Sequence, residues 1–248
     1  MAETIGERFM IESRYENMGK PAQAGGVPQP PLELPWDESL DLIPLPAPAE
    51  IRLPSSDLRT MIEQRTTIRA YSDQFLTQVE LAYLLWCTQG VKSKTDRPAL
   101  SRTVPSAGAR HPFETYLLIN KVENLQPGLY RYISTCHSLI AMDLRGDIAE
   151  KITHACLDQK HVMRSAVTFL WDAVAERTCW RYDQRGYRYM HLDAGHVCQN
   201  LYLAAESVGC GVCAIAAFDD VLLNDAIRLD GTREFIIYAA SLGKKKTD

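Results

Sequence analysis

The placement of proline divides this chain at about residue 50. Eight of the 13 prolines lie in residues 1–50. Because proline has a fixed φ and no amide hydrogen, the stretch GGVPQPPLELPWDESLDLIPLPAPAE forms neither a helix nor a central strand. It is nevertheless more apolar than a solvated linker needs, through Trp36, Leu40, Leu42, Ile43 and Leu45. We therefore expect residues 1–50 to be an extended arm laid across a surface of its own or of a second subunit, and residues 51–248 to be one folded domain.

Composition limits the partners of the 248-residue chain. Its 46% hydrophobic and 23% charged content is typical of a globular domain with a substantial core. Basic and acidic residues number 27 and 31, so no overall positive charge would attract nucleic acid. No apolar run approaches the roughly 18 residues of a membrane span, and the first twenty residues lack the apolar stretch of a signal peptide. We expect a cytoplasmic protein without nucleic-acid or membrane partners.

The seven cysteines do not predict a disulfide framework or a metal site. Their number is odd and their spacing irregular, which is typical of reduced thiols in the cytosol. Cys210 and Cys213 form a C-x-x-C motif, which indicates a redox dithiol, half of a zinc site or, more commonly, two small residues entering a strand. His191 and His196 are five residues apart, off the i, i+4 spacing of two helical ligands. We expect no metal.

Hydrophobic periodicity after residue 50 mixes helices and hairpins. We predict strands at 113–121, 167–174, 211–217 and 234–242, a hairpin over 128–143, and helices through 58–62, 81–88, 148–155, 197–208 and 220–228. The expected N-caps are Ser55 or Ser56, Thr77 in a capping box with Glu80, Asp193, and Asp219 or Asp220; Gly90 and Gly209 are expected to end helices. Because these elements do not alternate regularly as βαβ units, the predicted class is α+β.

Three separate segments carry candidate binding residues. In QRTTIRAYS, residues 64–72, Arg65 and Arg69 flank Thr66 and Thr67. Two guanidinium groups and two hydroxyls within five residues suit a phosphate monoester, although ordinary surface arginines at a helix end would look the same. The other two segments, RTVPSAGARHPFETYLLI at 102–119 and GCGVCAIAAFDD at 209–220, place small residues at strand ends. Backbone amides there would face a flat ligand, or the first segment is an ordinary tight turn.

Several common enzyme motifs are missing from the sequence. It has no G-x-G-x-x-G after a strand, no Walker lysine motif and no G-x-S-x-G elbow. These absences disfavour dinucleotide folds, phosphate-loop enzymes and serine hydrolases. Ser106, Asp193 and His196 are present, but their spacing does not indicate a hydrolase.

At these residues the chain resembles the nitroreductase-like flavoproteins. The match covers about residues 55–243 and consists of RTTIRAY, PSAGARHPFETYLLI, DAGHVCQNLYLAAESVGCG and AIAAFDD in the same order. Within that superfamily, PSAGARHP, GLYRY, RGYRY with DAGH-x-x-QNLYLAA, and the proline-rich arm look most like the SagB-type branch. The best-known members of that branch dehydrogenate thiazolines and oxazolines in peptides.

The resemblance implies an FMN-binding homodimer with a central, mostly antiparallel sheet flanked by helices and with each flavin at the subunit interface. It assigns the ribityl phosphate and the pyrimidine edge to Arg65, Thr66, Thr67 and Arg69. The partner subunit would contribute Pro105, Ser106, Ala107, Gly108 and Ala109, and the other face of the ring would contact Ala214, Ile215, Ala216 and Ala217. Gln159 is a weaker candidate for the pyrimidine edge. Lys244 and Lys245 either complete the phosphate site or form a solvated tail.

The sequence departs from the resembled family in two places. Where the azoline-oxidising members have a Lys-Tyr pair, this chain has Arg181 before Tyr182. Arginine stays protonated, so it would stabilise negative charge but would be a poor base, which leaves Tyr182 as a candidate acid or base or as a structural aromatic. Many nitroreductases have Glu-Gly where Ala216 and Ala217 stand here, so a side-chain contribution to the flavin edge is missing.

The sequence therefore predicts an FMN-dependent oxidoreductase that passes two electrons between flavin and an organic substrate. Peptide azoline dehydrogenation is one option, and NAD(P)H-dependent reduction of a nitro compound or quinone is another. A non-catalytic flavin-binding scaffold is the alternative from a different class, and in that case the chain itself would fill the space above the ring.

Overall fold

Two strands that are buried along their whole length form the centre of the fold. They are β4 (Phe113–Ile119) and β7 (Val167–Val174) in a computed structural model that describes residues 3–52, 57–95 and 98–246. The strands pair antiparallel, with Phe113 opposite Ala173 and Ile119 opposite Val167. Apolar β-branched and aromatic residues dominate both, which favours a strand covered on both faces.

The other elements of the described residues surround this pair. The remaining strands are β1 (Ile43–Pro44), β2 (Val91–Lys94), β3 (Leu100–Arg102), β5 (Gly128–Ile133), β6 (Ser138–Asp143), β8 (Cys210–Ile215) and β9 (Glu234–Lys244). The helices are α1 (Ile5–Glu12), α2 (Leu58–Gln64), α3 (Gln78–Gln89), α4 (Ile148–Ala155), α5 (Lys160–Arg164), α6 (Ala175–Tyr182), α7 (Gly186–Ser207) and α8 (Asp220–Ile227).

Seven of these strands form one antiparallel sheet in the order β1-β6-β5-β4-β7-β9-β8. The predicted hairpin over 128–143 is the β5–β6 pair, and β2 and β3 form a small separate sheet. The observed fold confirms the predicted α+β class with an antiparallel sheet flanked by helices.

Helices cover both faces of the large sheet. Side chains from α3 and α7, including Leu84 and Val197, pack with Leu117 on one face. On the other face, α4 and α8 pack against alternate residues of β4 and β7 such as Leu118 and Leu170. α7 has 22 residues and is therefore about 33 Å long. Among the described helices, none is long and apolar enough to cross a membrane.

The helix caps were partly predicted. Thr77 and Glu80 form the expected capping box of α3, Gly90 is its C-cap, and Asp219 is the N-cap of α8. The N-cap of α2 is Asp57, whereas Ser55 and Ser56 lie outside the described residues.

The prediction that Asp193 caps a helix is wrong. α7 begins at Gly186, two turns earlier, and Asp193 is buried inside the helix. An Asp before an apolar repeat looks like an N-cap, but here a tertiary contact holds the carboxylate, because Ser106 and Ala107 donate hydrogen bonds to it.

The N-terminal arm lies along its own chain. Its first part is not extended, because Thr4 and Glu7 form a capping box that starts α1. Further along, Arg177 Nε donates to the carbonyl of Pro31 at 2.8 Å, and Arg131 donates to the carbonyls of Leu34 and Pro35. β1 then pairs with the edge of β6. Side chains of the domain thus donate hydrogen bonds to backbone carbonyls of the arm. The proline-rich segment does not pair these carbonyls in a β-sheet.

Candidate functional site

The RTTIRAY segment lies beside the end of β8. Thr67 forms a parallel bridge with Val212, and the Ile68 amide donates to the Val212 carbonyl at 2.9 Å. Gly211 permits this approach, since a Cβ atom there would lie 2.7 Å from Ile68 Cβ. The pairing fixes the positions of the two arginines next to the small residues that end β8.

Tyr202 of α7 connects two of the predicted segments. Its hydroxyl accepts a hydrogen bond from the Ala214 amide at 3.0 Å and lies 3.3 Å from Thr67 Oγ1. The Arg65 guanidinium lies over its ring, 5.4 Å from the centroid. Tyr202 was not among the site residues predicted from the sequence, because it lies off the apolar repeat of α7 and a single tyrosine carries no motif.

Gln159 belongs to the same region. Its Nε2 donates to the carbonyl of Ala217 at 2.8 Å, and its Oε1 lies 3.2 Å from His161 Nε2. His161 Nδ1 lies 2.8 Å from the hydroxyl of Ser241, which also contacts the Tyr71 hydroxyl at 2.8 Å. Burial, and then the positive charge of Arg69, lower the pKa of His161, so the imidazole is neutral at pH 7.

We call this region the RTTIRAY site; it consists of residues 65–69 with Gln159, Tyr202 and residues 214–217. Thr66, Thr67, Arg69, Ala216 and Ala217 are exposed. Neither Arg65 nor Arg69 forms an ion pair with any carboxylate in the described part of the chain. The site is therefore an open surface with two uncompensated guanidinium groups, which suits an anionic group.

The two lysines near this region are engaged elsewhere. Lys244 Nζ is ion-paired with Glu80 and donates to the Val208 carbonyl at 2.9 Å. Lys245 Nζ is ion-paired with Glu206. These contacts occupy both ammonium groups, so the uncompensated charge of the RTTIRAY site comes from the arginines.

The turn at Pro105–Ala109 is fixed by Asp193. Ser106 Oγ donates to Asp193 Oδ2 at 2.6 Å, the Ala107 amide donates to the same carboxylate at 3.2 Å, and the His111 amide donates to Ser106 Oγ at 2.9 Å. Burial raises the pKa of Asp193, while the bonds from Ser106 and Ala107 oppose that rise. Ser106 contacts Asp193 directly, and no histidine lies between them as a hydrolase triad would require.

The predicted catalytic pair lies at this turn. Gly108 has φ +59°, and a Cβ atom on it would lie 2.5 Å from the Tyr182 hydroxyl and 2.9 Å from Arg181 Cδ. Glycine suits this position for both reasons, because most side chains avoid this φ and any side chain would have to displace the ends of Tyr182 and Arg181. We call residues 105–109 together with Arg181 and Tyr182 the PSAGA site.

A cavity of about 620 Å³ opens at the PSAGA site, and Gly108, Ala109, Arg110, Trp180 and Arg181 contribute to its wall. A smaller cavity of about 290 Å³ lies on the other side of Arg181 and includes Tyr182 and Tyr189. Gln23 of the arm lines both cavities. The turn, Arg181 and the arm therefore face the larger cavity, whereas Tyr182, Arg181 and the arm face the smaller one.

The two sites contact different parts of α7. Asp193 holds the PSAGA site and Tyr202 holds the RTTIRAY site. The two residues are nine positions apart, which corresponds to about 13 Å along the helix and to half a turn around it. The two sites thus lie on opposite faces of α7.

Elsewhere in the chain, Cys210 and Cys213 are both buried in β8. Three residues apart in a strand, they point to opposite faces. Within the described residues, no group of three or more His, Cys, Asp or Glu side chains is arranged to hold a metal ion.

Comparison with known proteins decides the family. The model of the nitroreductase family matches residues 62–244, which is most of the chain and includes the RTTIRAY, PSAGA and β8 segments. The chain belongs to the nitroreductase family. The family expected from the sequence motifs is therefore confirmed.

Relatives of this nitroreductase-family chain include two proteins named for the processing of trifolitoxin and of microcin B17. A nitroreductase-like protein of Methanocaldococcus jannaschii, MJ1384, is 33% identical over 199 residues, 79% of this chain and 96% of that protein. The trifolitoxin-processing protein TfxB of Rhizobium leguminosarum bv. trifolii is 28% identical over 53% of this chain and 36% of its own. The microcin B17-processing protein McbC of Escherichia coli is 25% identical over 56% of this chain and 52% of its own. This agrees with the expected likeness to the SagB-type branch.

Solved structures support the nitroreductase fold. A nitroreductase of Anabaena variabilis has a TM-score of 0.65 at 28% identity, over 77% of this chain and 38% of that one. The Escherichia coli microcin synthetase McbBCD complex with truncated pro-MccB17 has a TM-score of 0.61 at 19% identity, over 81% and 77%. A Desulfovibrio desulfuricans nitroreductase in complex with FMN has a TM-score of 0.56 at 16% identity, over 78% and 89%. The last two show a common fold.

Proposed function

We propose that this nitroreductase-family chain is an FMN-dependent oxidoreductase that works as a homodimer. In this proposal each FMN lies between the RTTIRAY site of one subunit and the PSAGA site of its partner. The observation that carries the proposal is the position of the two sites on opposite faces of α7. One flavin in a single chain would have α7 between its two sites, whereas a second copy would bring its own PSAGA site to the exposed RTTIRAY surface.

The residues present fit FMN. Arg65 and Arg69, with the hydroxyls of Thr66 and Thr67, offer charged and neutral donors to a phosphate monoester. Ala216 and Ala217 are small and exposed, and Gln159 lies beside them through its bond to the Ala217 carbonyl. At the PSAGA site, no side chain of residues 105–109 is large enough to block a flat ring.

Bound FMN would supply the two-electron chemistry. Arg181 would stabilise negative charge on a substrate, since its guanidinium is always protonated. Tyr182 would donate or accept a proton at its hydroxyl, which lies next to Gly108. The Arg181 guanidinium lies over the Tyr182 ring, 5.7 Å from its centroid. The small residues of the turn leave room for the substrate.

For the reaction itself, we propose oxidation of a heterocycle in a peptide. The relatives TfxB and McbC, named for processing trifolitoxin and microcin B17, support this substrate class. A second candidate is reduction of a small molecule such as a quinone or a nitro compound, because MJ1384 matches over nearly its whole length. A scaffold without activity is less well supported, since the 620 Å³ cavity beside the PSAGA site is open rather than filled by the chain.

Flavin content tests the cofactor proposal. We expect the purified protein to be yellow and to release FMN on heating. Arg65→Ala and Arg69→Ala should each reduce the bound FMN at a fixed concentration, because each removes a charge-assisted contact that contributes about 1.5–3 kcal/mol. Arg164→Ala, an exposed arginine in α5, is the matched control. Colourless protein that takes up no FMN, or full FMN content in both variants, would contradict the proposal.

A further inference from the structure

Two arginines line the cavity at the PSAGA site. Arg110 and Arg181 both contribute to its wall. Neither forms an ion pair with a carboxylate in the described residues. Each guanidinium lies over an aromatic ring: Arg110 lies 5.2 Å from the Trp180 centroid and Arg181 lies 5.7 Å from the Tyr182 centroid.

Arg110 is unusual because it is buried without an anionic partner in the described residues. The residue is only 5% exposed, and its Nε is buried without a hydrogen-bond partner. A buried charge without a partner is costly, and buried cations in proteins are normally paired with an anion. By contrast, Arg131 and Arg177, which are buried equally well, are both paired with Glu114. Arg102, the fourth buried arginine, has no carboxylate partner but donates to the Gln89 carbonyl at 2.7 Å. Arg110, in contrast, lines the open cavity and has neither kind of partner within the described residues.

The second guanidinium increases the need for an anion. Burial, and then the positive charge of Arg181, lower the pKa of Arg110. Two like charges beside one cavity repel each other unless a negative group lies between or beside them. A ligand with one anionic group would relieve both the burial of Arg110 and the repulsion from Arg181.

The other residues of the cavity wall indicate the chemistry of the rest of the ligand. Trp180, Ala99 and Ala109 provide apolar surface, and Gln23 and Gln29 of the arm provide side-chain amides. Gln29 Nε2 also donates to the carbonyl of Pro98 at 2.6 Å, which fixes the arm at the rim of the cavity. The donors on the wall are planar guanidinium and amide groups, and the planar fork of arginine matches a carboxylate in two parallel hydrogen bonds.

We propose that the cavity at the PSAGA site binds a carboxylate of an organic substrate, with Arg110 and Arg181 as its ligands and the apolar part of the substrate against Trp180. This inference rests on the proposed function, since it places the substrate beside the turn that would face FMN. Arg110 is then a specificity-determining residue, and the arm is part of the substrate site rather than only a structural strap.

Calorimetric titration of the purified protein with benzoate tests the proposal. Benzoate should bind the wild type, and Arg110→Gln and Arg181→Gln should each weaken binding by about tenfold or more, as expected for loss of a charge-assisted contact. Arg110→Lys, which keeps the charge but loses the planar fork, should weaken binding as well. Arg233→Gln removes an exposed arginine elsewhere and should change nothing. Benzamide, a neutral analogue of the same shape, should bind all variants equally weakly.

Two further comparisons identify the source of the carboxylate and distinguish a carboxylate from another anion. A short capped peptide with Asp, compared with its Asn counterpart, shows whether an acidic side chain of a peptide is accepted, while benzoate alone indicates a small acid. Phenyl phosphate that binds through Arg110 where both carboxylates fail would overturn the proposal. Unchanged benzoate affinity in Arg110→Gln, with circular dichroism showing a folded protein, would also overturn it. The visible spectrum of the same samples measures bound flavin independently. A failure of carboxylate binding can therefore be distinguished from a failure of FMN binding.

Discussion

Asp172 is the most unusual single residue outside the proposed sites. It lies in the middle of the sheet, opposite Glu114 of β4, is fully buried, and has no hydrogen-bond partner for either carboxylate oxygen in the described residues. Burial raises its pKa to about 8, and the negative charges of Glu234 and Glu114 add to the rise, while Arg177 and Arg131 oppose it. At pH 7 the carboxyl group is therefore mostly protonated in the folded protein.

This raised pKa predicts a pH dependence of stability. An unfolded aspartate titrates near pH 4, so between about pH 4 and pH 8 the folded state holds a proton that the unfolded state has lost. The free energy of unfolding should fall as pH rises through this window, by at most about 1.4 kcal/mol per unit from this group. Urea unfolding of Asp172→Asn at pH 5, 6.5 and 8, followed by circular dichroism, should show a flatter curve than the wild type.

The control for this experiment is Asp225→Asn, which changes an exposed carboxylate of α8. Its stability should follow the wild-type pH curve. Two other carboxyl groups with raised pKa, those of Asp193 and Glu234, are present in all three proteins, so only the difference between the curves reports Asp172. Parallel curves for wild type and Asp172→Asn would show that Asp172 is ionised in the folded state.

At the scale of elements, the arm depends on one acidic side chain. The carboxylate of Glu33 accepts hydrogen bonds from the amides of Ser134 and Thr135, at 2.7 and 3.2 Å, and from both hydroxyls, in the turn between β5 and β6. Glu33→Ala removes these bonds together and should lower the free energy of opening the arm by about 1–3 kcal/mol. Limited proteolysis should then cut residues 18–50 about tenfold faster or more, because cleavage follows the open population.

Glu38→Ala is the matched control for the arm, because Glu38 is an exposed acid in the same segment. Its cleavage rate should equal that of the wild type. Mass spectrometry of the fragments locates the cuts. Equal rates for Glu33→Ala and wild type would mean that the bonds from Arg131 and Arg177 to the arm backbone hold it without Glu33.

The elements that were predicted correctly have local signals. The strand β7 has the predicted bounds, and α3 has the predicted capping box, because a buried apolar run and a cap each depend on a few neighbouring residues. The missed elements lack such signals. α6 follows directly from the last residue of β7 without a side-chain cap, and the short strands β2 and β3 pair only with each other.

The candidate sites were predictable as segments but not as an arrangement. RTTIRAY and PSAGA carry their chemistry in adjacent residues, so the sequence indicated both. The contacts that assemble each site come from residues far apart in the chain: Tyr202 with Thr67 and Ala214, and Asp193 with Ser106. Asp193 is the clearest example. The residues around it predict a helix N-cap, whereas in the fold it accepts hydrogen bonds from Ser106 and Ala107.

At the scale of the whole molecule, the separation of the two sites by α7 predicts complementation between defective chains. Arg65→Ala combined with Arg69→Ala damages only the RTTIRAY site. Gly108→Val damages only the PSAGA site, because a β-branched side chain is strained at φ +59° and would displace Tyr182 and Arg181. Each variant alone should bind little FMN if every flavin needs one site from each subunit.

Co-expression of the two variants in equal amounts should restore part of the flavin. Half of the dimers would be mixed, and each mixed dimer would hold one site with both halves intact and one with both halves damaged. The mixture should therefore contain about one quarter of the wild-type FMN per chain, measured from the visible absorbance of purified dimers. If FMN were bound within a single chain, no chain in the mixture would carry an intact pair of sites, and the flavin content would stay at the level of the separate variants.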